Sequence, residues 1–169
     1  MKKLIVLGAD GYLGFPVSLH FSLKGWEVHA VDNLSKRFIE AKMNIEPAIN
    51  IIPFKKRFEA WNNSKNNLKK NNIKTHILDI ALNSRQLYNL IDEVRPDAII
   101  HFAEQPSAPY SMKGREEAFF TQMNNVSGTL NLIFAVQKFV PDCHILKLGT
   151  MGEYGTPNID IEEGWLDIE

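Results

Sequence analysis

The chain alternates short apolar runs with longer amphipathic stretches, and that alternation predicts most of its elements. Leu4-Ile5-Val6-Leu7 is a continuous apolar run, read as a buried strand over 3–8. Leu13, Val17 and Phe21 recur at helical spacing, and Gly25 closes that helix before a second strand over 27–31. Pro16 suits the helix only in its first turn, where the missing N–H matters least. Ser35 to Met43 reads as a further helix. In 45–72, Phe54, Phe58 and Trp61 share one face and predict a short helix, while the polar run 62–72 predicts a mobile loop. Ile73 to Ile80 is the third strand. Asn83 and Gln86 have capping-box spacing ahead of a helix with the buried stripe Leu87, Leu90, Ile91 and Val94, and Pro96 ends it. Asp97 to Ala103 reads as a fully buried central strand, and Glu104 to Arg115 as a polar loop. About 116–139 is a long helix with Val126, Leu130, Ile133 and Phe134 turned inward, and His144 to Leu148 is a fifth strand. Nothing periodic follows Gly149.

Strands alternating with helices and no internal repeat place the chain in the α/β class, as a doubly wound parallel sheet of expected order 3-2-1-4-5. With 169 residues, 44% of them hydrophobic, there is chain for one domain with a sizeable core. A net charge of −1 gives no field that draws the whole molecule to nucleic acid or a membrane. The lysines of 62–72 have no aromatic residues between them and no recognition motif, so they read as a solvated loop and no nucleic-acid partner is expected. The single cysteine, Cys143, excludes an internal disulfide and fits a reducing compartment; it reads as core. The apolar run at residues 4–7 is too short for a signal peptide, and a cytoplasmic location is expected. His101 and His144 lie in apolar strand runs and His20, His29 and His76 are scattered, so no metal site is expected.

The candidate chemistry sits at the end of the first strand. Gly8-Ala9-Asp10-Gly11-Tyr12-Leu13-Gly14 has the spacing G-x-x-G-x-x-G between a strand and a helix. Glycine lets such a turn be tight and lets a pyrophosphate approach the free N–H groups of the helix start. Asp32 ends the second strand, 21 residues after Gly11, where a carboxylate can accept from adenosine ribose hydroxyls. The pattern therefore reads as a dinucleotide cradle of Rossmann type, with Asp32 favouring NAD over NADP. Asn33 follows the acid, and Lys36 and Arg37 lie close enough in sequence to touch the adenosine phosphate or to be solvated surface charges. Phe102 and Ala103 end the fourth strand, on the side where open α/β sheets bind ligands.

These residues together resemble the extended short-chain dehydrogenases that modify nucleotide sugars. Glu104-Gln105, Ser107-Ala108-Pro109-Tyr110-Ser111-Met112, Asn124-Asn125-Val126 with Gly128-Thr129-Leu130-Asn131, and above all KLGTMGEYGTPNIDIEEG at 147–164, resemble the UDP-sulfoquinovose synthase family. The resemblance runs along nearly the whole chain and is weakest at 45–72. It implies bound NAD, oxidation of C4 of UDP-glucose to a 4-keto sugar, loss of water across C5 and C6, addition of sulfite at C6, and return of the hydride. It implies that Asp79 and Ile80 meet the adenine and that Asn125 supports the active-site backbone. Thr150 would hydrogen-bond the sugar hydroxyl that is oxidised. Gln105, Ser107, Tyr110 and Met151 would border cofactor and sugar. A homodimer through the 116–139 helix is implied as well.

The sequence departs from related patterns in three places. Nucleotide-sugar 4,6-dehydratases carry Asp-Glu after the active-site Thr, where this chain has Met151 and Gly152; Glu153, the nearest carboxylate, is displaced by one residue and faces the other way in an extended strand. Pro106 stands where plant-type members have Arg. None of Tyr12, Tyr88, Tyr110 and Tyr154 has Lys four residues later, so the acid–base Tyr-x-x-x-Lys pair of the family is not among these residues. Residues 1–169 are thus expected to be the NAD-binding, amino-terminal part of an enzyme, inactive on a sugar by itself. Another nucleotide-sugar epimerase or oxidoreductase, and a dinucleotide-binding module without catalysis, are the alternatives.

Overall fold

Short segments of four to six residues, apolar in the centre of the sheet and more polar at its edges, become the strands of one parallel sheet in the computed structural model, which describes residues 1–64, 73–150 and 155. The strands are β1 (Lys3–Leu7), β2 (Glu27–Asp32), β3 (Lys74–Ile77), β4 (Ala98–His101) and β5 (His144–Lys147), in the expected order β3-β2-β1-β4-β5. The helices between them are α1 (Gly14–Leu23), α2 (Ser35–Lys42), α3 (Phe54–Asn62), α4 (Ser84–Val94), α5 (Ala108–Ser111), α6 (Arg115–Gln122) and α7 (Gly128–Phe139). Central β1 pairs with β2 on one side and β4 on the other, Ile5 facing both His29 and Ile99. The expected loop over 62–72 lies outside the described residues from 65 onward.

Side chains alternate across β1, so it feeds two cores. Ile5 and Leu7 pack with Leu87, Ile91, Ile99, Leu132 and Val136 under α4 and α7, while Leu4 and Val6 pack with Val28, Ala30, Phe54 and Phe58 under α1 and α3. Each such buried Leu, Ile or Phe contributes about 1.5–3 kcal/mol. The predicted stripe of α4 is buried as read, and so are Phe54 and Phe58 of α3. Trp61 is half-buried and its indole N–H donates to Ser22 Oγ at 3.2 Å.

Four expectations are corrected. In α1 the buried face is Gly14, Ser18 and Ser22; Leu13 is exposed, because the tight turn presses this helix against β1 and only small side chains fit. The Asn83 side chain makes no cap; Asp79 Oδ1 instead accepts from the N–H groups of Ala81 and Leu82, both at 2.9 Å, and organises the turn first. The long helix is interrupted by a π turn, Met123–Ser127, which shifts its phase. Its buried residues are Asn124, Gly128, Leu132, Ala135 and Val136, whereas Val126, Leu130, Ile133 and Phe134 are half or more exposed. His144 is exposed because β5 is the edge strand, and Cys143 is half-buried, its thiol pushed up to about 11 by burial and by Asp97.

Candidate functional site

The three glycines after β1 are each required, for different reasons. Gly8 has φ +82°, and its N–H and that of Ala9 donate to Val31 O at 2.9 and 3.0 Å, tying the turn to the end of β2. A Cβ on Gly8 would lie 2.7 Å from Phe102 C, and one on Gly14 would lie 2.1 Å from Gly8 O, so these two let the turn nest against β4 and α1 against the turn. Among the described residues a Cβ on Gly11 would meet only Gly8 O, at 3.2 Å. Gly11 is therefore the glycine of the turn that leaves room for close approach from outside, which is the spacing of glycine roles that a pyrophosphate cradle needs.

A cleft opens there at the carboxyl ends of the strands. Gly8, Gly11, Asp32, Asn33, Ile80, Phe102 and Ala103 line it, together with Asp10, Lys36, Glu104 and Asn124. Asp32 Oδ2 accepts from Asp10 N at 2.8 Å and Oδ1 from Leu34 N at 2.7 Å. Burial holds its pKa above the usual carboxylate value, against the pull of those two backbone donors. Asn33 donates to Asp79 Oδ2 at 2.9 Å and accepts from Ser35 N at 2.9 Å, latching the loop after β2 to the loop after β3. Asp79 is thus a brace behind Ile80. Tyr12 and Leu13 are exposed beside the turn, and Gly14 is buried beneath it. Arg37 neither floats in solvent nor lines the cleft: its Nε donates to Asp10 Oδ2 at 2.7 Å and its Nη1 to Glu40 at 2.9 Å.

The π turn carries the second half of the site. Asn125 Oδ1 accepts from Gln105 N at 2.8 Å and its Nδ2 donates to Gln105 O at 3.1 Å, so one amide holds both backbone groups of the residue entering the loop. Asn124 Nδ2 donates to Ala103 O at 3.3 Å and to Asn125 Oδ1 at 2.9 Å. The Gln105 side chain turns toward α6, donating to Thr121 Oγ1 at 2.9 Å, and Ser107 caps α5 by accepting from Tyr110 N at 3.2 Å. Tyr110 stacks edge-on with Phe120, centroids 6.2 Å apart. These three shape the 104–112 loop.

Fully buried His101 accepts from Ala103 N through Nδ1 at 3.2 Å and faces Thr129 Oγ1 with Nε2 at 3.2 Å. Burial lowers its pKa to about 4, so it is neutral at pH 7 and its Nε2–H is the donor. Glu104 Oε1 lies 3.3 Å from Lys147 Nζ, joining the ends of β4 and β5. Thr150 is exposed just past β5; Met151 and Glu153 lie outside the described residues. Sequence reasoning missed Asp10, Glu104 and Asn124 as cleft residues. A charge inside the glycine turn was the available signal for Asp10.

A parallel sheet of this order, with a glycine turn meeting a ribose-type acid at its carboxyl edge, defines a doubly wound domain of the dinucleotide-binding class. The profile of the NAD dependent epimerase/dehydratase family matches residues 4–167, and the chain belongs to that family. It is 43% identical over 167 residues to the chloroplastic UDP-sulfoquinovose synthase of Spinacia oleracea, covering 99% of this chain and 34% of that protein. It is 42% identical over 161 residues to UDP-sulfoquinovose synthase of Sulfolobus acidocaldarius, covering 95% of this chain and 40% of that one. The chain therefore spans a third to two-fifths of the length of these relatives. Among solved structures it resembles UDP-glucose 4-epimerase from Bifidobacterium longum in complex with NAD+ and UDP. That match has a TM-score of 0.66 and 20% identity, covering 94% of this chain and 40% of the other, and it shows the fold. Among the described residues no helix is long and apolar enough to cross a membrane.

Proposed function

We propose that this chain binds NAD in the cleft and forms the cofactor-binding part of an enzyme of the UDP-sulfoquinovose synthase type, acting on UDP-glucose and sulfite. The observation that carries the reading is the open face of Gly11 beside Asp32, in a chain at 42–43% identity to two such synthases. Gly8, Gly11 and Gly14 would hold the pyrophosphate, Asp32 and Asn33 the adenosine ribose, and Ile80 the adenine face. NAD, when bound, supplies a hydride acceptor for a sugar hydroxyl. Asn125 and Asn124 fix the backbone of 103–105 against the cleft, and Thr150 would hydrogen-bond the sugar. Met151 and Gly152 in place of an Asp-Glu pair leave a less charged site for an incoming sulfite.

The exposed Val126, Leu130, Ile133 and Phe134 form an apolar face on α7 and the π turn that suits a second copy of the chain, giving a homodimer. The lone thiol of Cys143 suits a reducing compartment such as the cytoplasm. The test of substrate uses a longer protein that includes these residues, assayed with UDP-glucose and NAD, with and without sulfite. A sulfonated sugar nucleotide, seen by mass only when sulfite is present, is the expected product. Conversion to UDP-galactose or to a stable 4-keto-6-deoxy sugar, without sulfonation, transfers the protein to another nucleotide-sugar reaction. Thr150→Ala should slow sugar oxidation with NAD affinity kept; loss of NAD affinity instead makes Thr150 structural.

A further inference from the structure

Asp10 is the anomalous residue of the glycine turn, since a carboxylate beside a diphosphate cradle repels the ligand the cradle is built for. The structure places it at 5% exposure between two guanidinium groups that reach it from separate helices. Arg37 of α2 donates to its Oδ2 from Nε at 2.7 Å, and Arg57 of α3 donates to its Oδ1 from Nη2. Both arginines also donate to the Asp10 carbonyl, each at 3.2 Å. Arg57 is held further by the Phe15 ring, 4.4 Å from its guanidinium carbon, and its buried Nε has no hydrogen-bond partner among the described residues. Asp10 in turn donates its N–H to Asp32 Oδ2 at 2.8 Å, so the ion triple adjoins the ribose acid directly.

Two arginines this close to a ribose acid are the groups that would pair with a 2′-phosphate, by charge and by forked donor geometry. Here their donors point at Asp10. We propose that Asp10 is a specificity-determining residue: by holding Arg37 and Arg57 against the turn it withholds both guanidiniums from a 2′-phosphate, and so makes the cleft select the dinucleotide with a free 2′-hydroxyl. The inference rests on the reading of the cleft as an NAD site, and it adds that Asp32 does not discriminate alone.

The test is calorimetric titration of the chain and its variants with NAD and with NADP. Asp10→Asn keeps the shape and removes the charge that occupies the arginines. It should raise NADP affinity relative to NAD at least about tenfold, the size of one charge-assisted hydrogen bond. Adding Arg37→Gln to that variant should bring the ratio back toward its starting value, which a merely structural role of Asp10 would not do. Asp10→Ser, made alongside with a smaller side chain, should shift the ratio in the same direction. An unchanged ratio in the Asn and Ser variants, or an equal loss of both cofactors, overturns the role given to Asp10 while leaving the NAD site intact. Failure of the unaltered chain to bind either dinucleotide overturns the NAD reading and this inference with it.

Discussion

Replacing Gly11 by valine should separate ligand binding from folding, because of the three glycines in the turn only this one faces open space. Among the described residues its added Cβ would meet a single protein atom, Gly8 O at 3.2 Å, a tight contact that costs about 1–3 kcal/mol at most, without the outright overlap found at the other two. The isopropyl group would occupy the cradle, and NAD affinity should fall at least about 100-fold, about 2.8 kcal/mol of binding free energy. Gly8→Ala and Gly14→Ala should behave in the opposite way. The first places a Cβ 2.7 Å from Phe102 C on a residue at φ +82°, the second 2.1 Å from Gly8 O. Steric overlap together with left-handed backbone costs about 2–5 kcal/mol at Gly8, against the roughly 5–15 kcal/mol that holds a domain together. Urea unfolding read by circular dichroism gives the stability of each variant, and calorimetry gives its NAD affinity. The reasoning is refuted if Gly11→Val binds NAD as tightly as the unaltered chain, or if it unfolds as readily as Gly14→Ala.

Acid should destabilise the fold through buried histidines before it reaches the carboxylates. Burial lowers His101 and His76 to about 4 from 6.5, and His29, 3.0 Å from His76, lowers the latter further. The folded chain thus binds fewer protons than the unfolded one in that window; stability is full above pH 6.5 and falls as pH drops toward 4. His101 alone accounts for about 3 kcal/mol. Glu27, brought to about 2 from 4.5 by Lys74 and then His29, adds a loss as pH falls from 4.5 toward 2. Denaturant midpoints that stay flat between pH 6.5 and 4 contradict this. On the exposed apolar face, Leu130→Glu should abolish self-association in sedimentation velocity without lowering the unfolding midpoint; persistence of the dimer places the interface elsewhere.

Sheet order, strand identity and the glycine turn were legible because each rests on local sequence: apolar runs of strand length, turn residues between them, and one acid at the right spacing. What stayed hidden depends on residues far apart in the chain. The π turn moved the buried face of α7 from Ile133 and Phe134 to Leu132, Ala135 and Val136, and a 3.6-residue count cannot foresee an inserted residue. Small residues face β1 in α1 because of the Gly14–Gly8 approach, so of the apolar series Val17 and Phe21 pack against the core only partly buried and Leu13 is exposed. His29 and His76, scattered in sequence, stack because β2 and β3 are parallel neighbours, with Val31 opposite His76. The Asp10 triple needed α3, a helix predicted only from three aromatic residues, to be folded back over the turn.

The central claim is that the cleft beside Gly11 and Asp32 is an NAD site, and direct calorimetric titration of the chain with NAD and NADP tests it. One saturable site that prefers NAD and is weakened by Asp32→Ala is the predicted result. Absence of NAD binding, or tighter binding of NADP, contradicts it.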